Sequence, residues 1–253
     1  MLRWKEERQG ETALLIEGAR RIGKSTIVEE FAKNEYSSYI LVDFSKTATE
    51  INDLFNDLSD LNYIFLRLQL NYNVSLKERK SLIIFDEVQN NPKARQALKH
   101  LVKDHRYDYI ETGSLISIRK NVQNIIIPSE ETRITMHPMD FEEFRWAMGD
   151  NVSFTLLKTV LEKKQPLGEA IHRKLMRDFR LYMLVGGMPQ AVDKYIKTND
   201  LSAVDTVKRD IIALYEEDLR KIDTSGKATA MFDAIPSQLS KNASRYTIST
   251  VIP

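Results

Sequence analysis

Two glycines, a lysine and a hydroxyl at fixed spacing make the first case for chemistry in this chain. The stretch Gly18-Ala19-Arg20-Arg21-Ile22-Gly23-Lys24-Ser25 fits the pattern G-x-x-x-x-G-K-[ST]. The glycines let the backbone close around phosphate oxygens with its N–H groups turned inward. Lys24 supplies a point charge for β- and γ-phosphates, Ser25 a hydroxyl for Mg²⁺, and Thr26 a second hydroxyl beside it. A glycine-rich turn with an incidental lysine would show the same letters, so the flanks matter. An apolar run at 12–17 precedes the loop, and Ile27, Val28, Phe31 and Ala32 follow it at helical spacing.

A second group of residues complements the first. Leu82-Ile83-Ile84-Phe85 is an apolar strand that runs into Asp86 and Glu87. Acids at the carboxyl end of a parallel strand face the crevice where open sheets bind ligands. Asp86 is expected to hold Mg²⁺, directly or through water, and Glu87 to polarise an attacking water. Two acids after an apolar strand can equally just open a loop; the lysine loop upstream, with one strand between, favours the metal role. Glu next to Asp is characteristic of the additional-strand P-loop proteins, which include RecA-like and AAA-type ATPases. The chain has no Asn-Lys-x-Asp motif for reading guanine, so ATP is expected rather than GTP.

Polar residues at the end of a fourth strand, Thr112 and Ser114, are candidates to sense a γ-phosphate, with turn capping as the plainer role. Arginines that could complete catalysis are Arg20, Arg21 and Arg133, with Arg209 and Arg220 further on. Arg133 is preferred, because it leads into the last strand and is expected to face the site.

Positioning these groups requires an alternating frame of strands and helices. Strands are predicted over 12–17, 38–43, 82–87, 107–112 and 133–136, with a small extension at 124–128. Helical spacing runs from Ile51 to about Asn71 and again from Ala94 to Asp104. The expected fold class is α/β: a P-loop NTPase three-layer sandwich around a five-stranded parallel sheet, followed by a helical lid. From about Phe141 helical spacing takes over, and a change of domain is expected near Gly149-Asp150. This gives a core over 1–149, a lid over 150–225, and a winged-helix-like start over 226–253.

Composition narrows the partners. The 253 residues are 42% hydrophobic, and 37 Lys+Arg against 36 Asp+Glu leave a net charge of +1. There is no global electrostatic case for nucleic acid or an anionic membrane. The absence of cysteine excludes disulfides and thiolate zinc sites. The four histidines show no metal-binding spacing. No stretch is long and apolar enough to span a membrane, and the N-terminus has no leader-like apolar region, so a cytoplasmic location is expected.

Several blocks together resemble one family. They are Ala13 to Gly18 running into Gly23-Lys24-Ser25-Thr26, Ile84-Phe85-Asp86-Glu87-Val88-Gln89, Thr112-Gly113-Ser114-Leu115, Met136 to Phe144, and Tyr182 to Pro189. The chain is similar throughout to prokaryotic AAA-family (ASCE P-loop) ATP-binding proteins that carry a C-terminal domain of unknown function. The resemblance implies an ATPase core, a helical lid, a winged-helix-like segment and a last, nuclease-like domain. The chain is expected to lack that last domain, with 226–253 as a truncated winged-helix-like start and DNA contact possible only through the missing or incomplete C-terminal part. The expected function is Mg²⁺-dependent ATP hydrolysis, with ATP, and either an unknown protein or further copies of the chain, as partners. The alternative is a nucleotide-gated switch with negligible turnover alone.

Overall fold

A computed structural model describes residues 1–114, 130–240 and 245–251. The extension expected at 124–128 and the stretch Lys241-Asn242-Ala243-Ser244 lie outside the described residues. The chain divides into two units, Met1–Pro138 and Met139–Pro253.

In the first unit five strands form one parallel sheet: β1 (Ala13–Gly18), β2 (Ser38–Asp43), β3 (Ser81–Asp86), β4 (Asp108–Ser114) and β5 (Glu131–Met136). Their order is β2-β3-β4-β1-β5, so β4 lies between the strand before the lysine loop and the strand that ends in Asp86. Every residue of β3 is buried, as expected for a parallel strand covered on both faces. Alternate residues serve different layers. Ile83 and Phe85 join Ile40, Val42 and Tyr109 beneath α3 (Thr49–Asp53), α4 (Leu61–Tyr72) and α5 (Pro92–Lys103). Leu82 and Ile84 instead join Leu14, Ile16 and Ile110 against Val28, Phe31 and Ala32 of α2 (Lys24–Glu35) and Trp4 of α1 (Leu2–Arg8). Each fully buried side chain of this size stabilises by about 1.5–3 kcal/mol.

Local signals set the helix ends. Asp60 accepts from Tyr63 N at 3.1 Å to start α4, and Asn73, in left-handed backbone, ends it. Asn91 accepts from Ala94 N at 3.0 Å and Pro92 takes the first position of α5. Helix α1 has no counterpart among the expected elements, because Trp4 is its one buried residue and leaves no apolar period to read.

On the α5 side of the sheet a buried ionic group sits beside the hydrocarbon. Arg95 of α5, 3% exposed, donates to Glu131 Oε2 at 2.9 Å and lies 3.8 Å from Glu111 Oε2. The second distance is too long for a hydrogen bond, and neither Glu111 oxygen has a hydrogen-bond partner among the described residues. Burial raises the Glu111 carboxyl well above the ordinary glutamate range; Arg95 opposes this and Glu131 reinforces it.

The second unit is helical. Its boundary falls at Pro138/Met139, ahead of the position expected near Gly149. The helix Phe141–Ala147 opens on a capping box between Asp140 and Glu143 and buries Phe144 with Val185, Ala191, Val192 and Val204. Packing of Phe144 therefore draws this helix into the second unit. Gly187 sits where a Cβ would lie 2.1 Å from Met139 O, and it accepts from Met139 N at 2.8 Å. The apolar spacing of Ser153–Glu162 does not translate into full burial: none of its residues is buried, and Leu161 is 79% exposed.

Candidate nucleotide site

The loop between β1 and α2 is shaped by two glycines with different tasks. A Cβ on Gly18 would lie 2.3 Å from Met136 O and 2.7 Å from Ile22 Cδ1, so β1 can end against β5 only without a side chain here. Gly23 caps α2 in left-handed backbone, φ 91°, and offers no side chain to the first-turn N–H groups; Arg21 is also left-handed, φ 63°. A helix start left open in this way is an anion site in waiting. Ile22 is buried and anchors the loop, while Arg21 and Thr26 are exposed and Ala19 and Arg20 half-buried.

Lys24 is placed to meet an anion. Its ammonium, in a residue only 6% exposed, donates to Ala19 O at 2.7 Å and to Gly18 O at 3.3 Å. Burial pulls its pKa below the ordinary lysine value; Glu87 and Asp86 oppose that shift and Arg20 adds to it. A buried cation that satisfies itself on loop carbonyls is poised to exchange them for phosphate oxygens.

The carboxylates come to the same place. Ser25 Oγ donates to Asp86 Oδ1 at 2.8 Å, and Thr112 Oγ1 donates to the same oxygen. Thr112 Oγ1 also accepts from Glu87 N at 3.4 Å. Ser25, Asp86, Glu87 and Thr112 are thus joined by one hydrogen-bonded set. A hydroxyl and a carboxylate are hard oxygen donors suited to Mg²⁺, which keeps water and phosphate oxygens for its other positions. Among the described residues no group of three or more His, Cys, Asp or Glu could hold a metal by itself.

Other expected residues stand differently. Glu87 does not continue β3, which ends at Asp86; it turns into left-handed backbone, φ 53°, at the head of the 3₁₀ turn Val88–Asn90. A non-glycine residue at positive φ costs of the order of 1–3 kcal/mol and persists only where its surroundings hold it. Arg133 is level with Leu15, three residues before Met136, which pairs with Gly18. It donates to Glu131 Oε1 at 2.6 Å and is not brought together with the lysine loop. Ser114 pairs in register with Gly18 and is buried. Gln89, whose side-chain amide donates to Glu87 Oε2, was not singled out for its chemistry in the sequence, because spacing gives no account of a contact made around a left-handed turn.

The AAA domain family matches residues 10–145, more than half of the chain. The chain belongs to the AAA domain family. This AAA protein therefore carries a P-loop ATP-binding and hydrolase domain over residues 10–145. Residues 176–252 match a second family, described as a domain of unknown function (DUF8612). That match overturns the expectation that the chain lacks a C-terminal domain of unknown function. The physical counterpart is a tail that closes on itself: Gln238 Nε2 donates to Thr250 Oγ1 at 3.0 Å, Gln238 Oε1 accepts from Thr247 N at 3.3 Å, and Tyr246 Oη donates to Met231 O at 2.7 Å. With that domain present, no missing part remains to which DNA contact could be reserved.

No curated protein matches the AAA protein in sequence. Among solved structures it is similar to C. elegans PCH-2, with 10% identity, 80% of this chain and 62% of that chain covered, and a TM-score of 0.40. It is also similar to Hsp104 in its closed state with ATPγS and FITC casein, with 12% identity, coverage of 96% and 50%, and a TM-score of 0.44. For the Aeropyrum pernix Orc1 protein in complex with DNA the identity is 12%, the coverage 95% and 75%, and the TM-score 0.37. The chain thus spans less than two thirds of the first two, at 62% and 50%. All three TM-scores are low, and the assignment rests on the family match. No helix among the described residues is long and apolar enough to cross a membrane.

Proposed function

We propose that the first unit binds Mg²⁺-ATP and hydrolyses it, with Lys24 on the β- and γ-phosphates and the N–H groups of 18–25 around them. Ser25 and Asp86 would hold Mg²⁺, which when bound neutralises phosphate charge and fixes the chain of phosphates. Glu87 takes a proton from the attacking water as its oxygen bonds to the γ-phosphorus and the bond to the ADP oxygen breaks. Thr112, two residues before the end of β4, orients Asp86 and the backbone at Glu87, a positioning task beside the expected place of a γ-phosphate. The observation that carries this reading is the hydrogen bond from Ser25 Oγ to Asp86 Oδ1 at 2.8 Å, which puts both expected metal donors at the foot of the lysine loop.

In this reading the glycine, lysine and serine of the loop and the acids after β3 are Walker A and Walker B motifs. The helical segment over 150–225 acts as a lid, 226–253 is winged-helix-like, and the protein works in the cytoplasm, with a protein partner or further copies of itself. The engagement of Arg133 by Glu131 favours a second reading for the isolated chain, a switch that binds ATP and turns over slowly until an arginine is supplied. The deciding test is phosphate release from Mg²⁺-ATP in a single turnover by the full chain beside Lys24→Ala. Hydrolysis that is equal in the two proteins would remove the lysine loop as the site.

A further inference from the structure

Glu87 leaves β3 through a left-handed turn, so its carboxylate is not held by the sheet; something else must fix it. The 3₁₀ turn that follows is pinned at both ends. Val88 is fully buried in the core beneath α5, and Asn91 N donates to Val88 O at 3.0 Å. Asn91 itself caps α5 and donates from its amide to Asn52 O at 3.1 Å. Between these anchors Gln89 is 8% exposed, and its Nε2 donates to Glu87 Oε2.

We infer that Gln89 is a positioning residue for hydrolysis: its amide holds the Glu87 carboxylate in the orientation from which it accepts the water proton. The inference rests on the reading of Glu87 given above. An ordinary carboxylate on a free χ angle would sample several directions, and side-chain rotamers of glutamate are costly to restrict. A donor fixed in a buried turn removes that freedom before substrate arrives, which is the preorganisation that catalytic groups need.

The test is a double-mutant cycle on the full chain, read as single-turnover hydrolysis of Mg²⁺-ATP with ATP affinity measured in parallel. Gln89→Ala removes the donor; Gln89→Glu keeps the shape and replaces the donor with an acceptor, so it covers the case in which the alanine variant fails to fold. Both are expected to slow hydrolysis by about 10²-fold, the cost of a small misplacement, with ATP affinity unchanged. Added to Glu87→Gln, Gln89→Ala should cost nothing more, because the group it positions is already gone. A purely structural residue would slow both backgrounds alike, and that result overturns the inference. A Gln89→Ala or Gln89→Glu rate at or above wild type, beside a slow Glu87→Gln, overturns it while leaving the role of Glu87 standing. Wild-type hydrolysis by Glu87→Gln overturns the role of Glu87 and that of Gln89 with it.

Discussion

Ser25 Oγ and Asp86 Oδ1 are 2.8 Å apart and hydrogen-bonded, although 61 positions separate the residues in the chain. The sheet makes this contact possible. Strand β4 lies between β1 and β3, and all three end on the same side because they are parallel. Thr112, on that intervening strand, donates to the same carboxylate oxygen and bridges the gap.

If this pair holds the metal, Mg²⁺ should tighten ATP binding, and Asp86→Asn should erase most of that gain. Loss of a hydrogen-bonded charged ligand is worth about 1.5–3 kcal/mol, roughly 10- to 100-fold in affinity. Titrations in Mg²⁺ and in EDTA separate the effect: the variant should match wild type in EDTA and fall behind only in Mg²⁺. Ser25→Ala should change in the same sense by less, since a neutral oxygen is lost.

Lys24→Ala should weaken ATP binding by about 2–4 kcal/mol, because a phosphate would enter a closed loop without its cation. Calorimetry on both proteins measures the difference. Undiminished affinity would mean that the ammonium, now bonded to Gly18 O and Ala19 O, keeps those partners when ATP binds.

Glu87→Gln keeps the side-chain size and removes the base. Hydrolysis in a single turnover should fall by about 10²–10⁴-fold, while ATP affinity stays near wild type. Parallel loss of binding would instead show that Glu87 supports the loop electrostatically.

Glu111 gives a prediction about stability. Burial raises its folded pKa above the ordinary value of 4.5, so between that value and the raised one the native state holds a proton that the unfolded chain has lost. Stability from this group is complete below the unfolded value and falls as pH rises through the window. Glu111→Gln mimics the protonated acid and removes the linkage. Urea unfolding at several pH values should show wild type losing ground to the variant as pH increases. A difference between the two that is independent of pH would sink the assignment.

Much of the frame was legible in the residues themselves. β1, β2 and β3 fall on apolar runs, because a strand covered by helices has to be apolar, and β3 with six buried residues is the plainest case; β4 is buried with polar residues in it, and β5 is partly exposed. The lysine loop was legible because glycine at 18 and 23 answers local backbone needs: the close approach of Met136 O and a left-handed cap. Sequence alone therefore determined the strand–loop–helix unit, its lysine and hydroxyl, and the acids at the end of another strand.

The tertiary structure decided which of these groups meet. The alternation of a strand tells which face a side chain takes and nothing of its height against a neighbour. Arg133 was expected at the site, yet the register sets it level with Leu15 and Glu131 holds it there. Glu87 reads as the last residue of a strand, whereas its positive φ turns it out of β3 and into reach of Gln89. Apolar spacing over Ser153–Glu162 yields a half-buried face, Phe154, Leu157 and Val160, with Leu161 left exposed. Register, backbone hand and burial depend on contacts between distant segments, and those contacts become defined only when the sheet and its helices pack together.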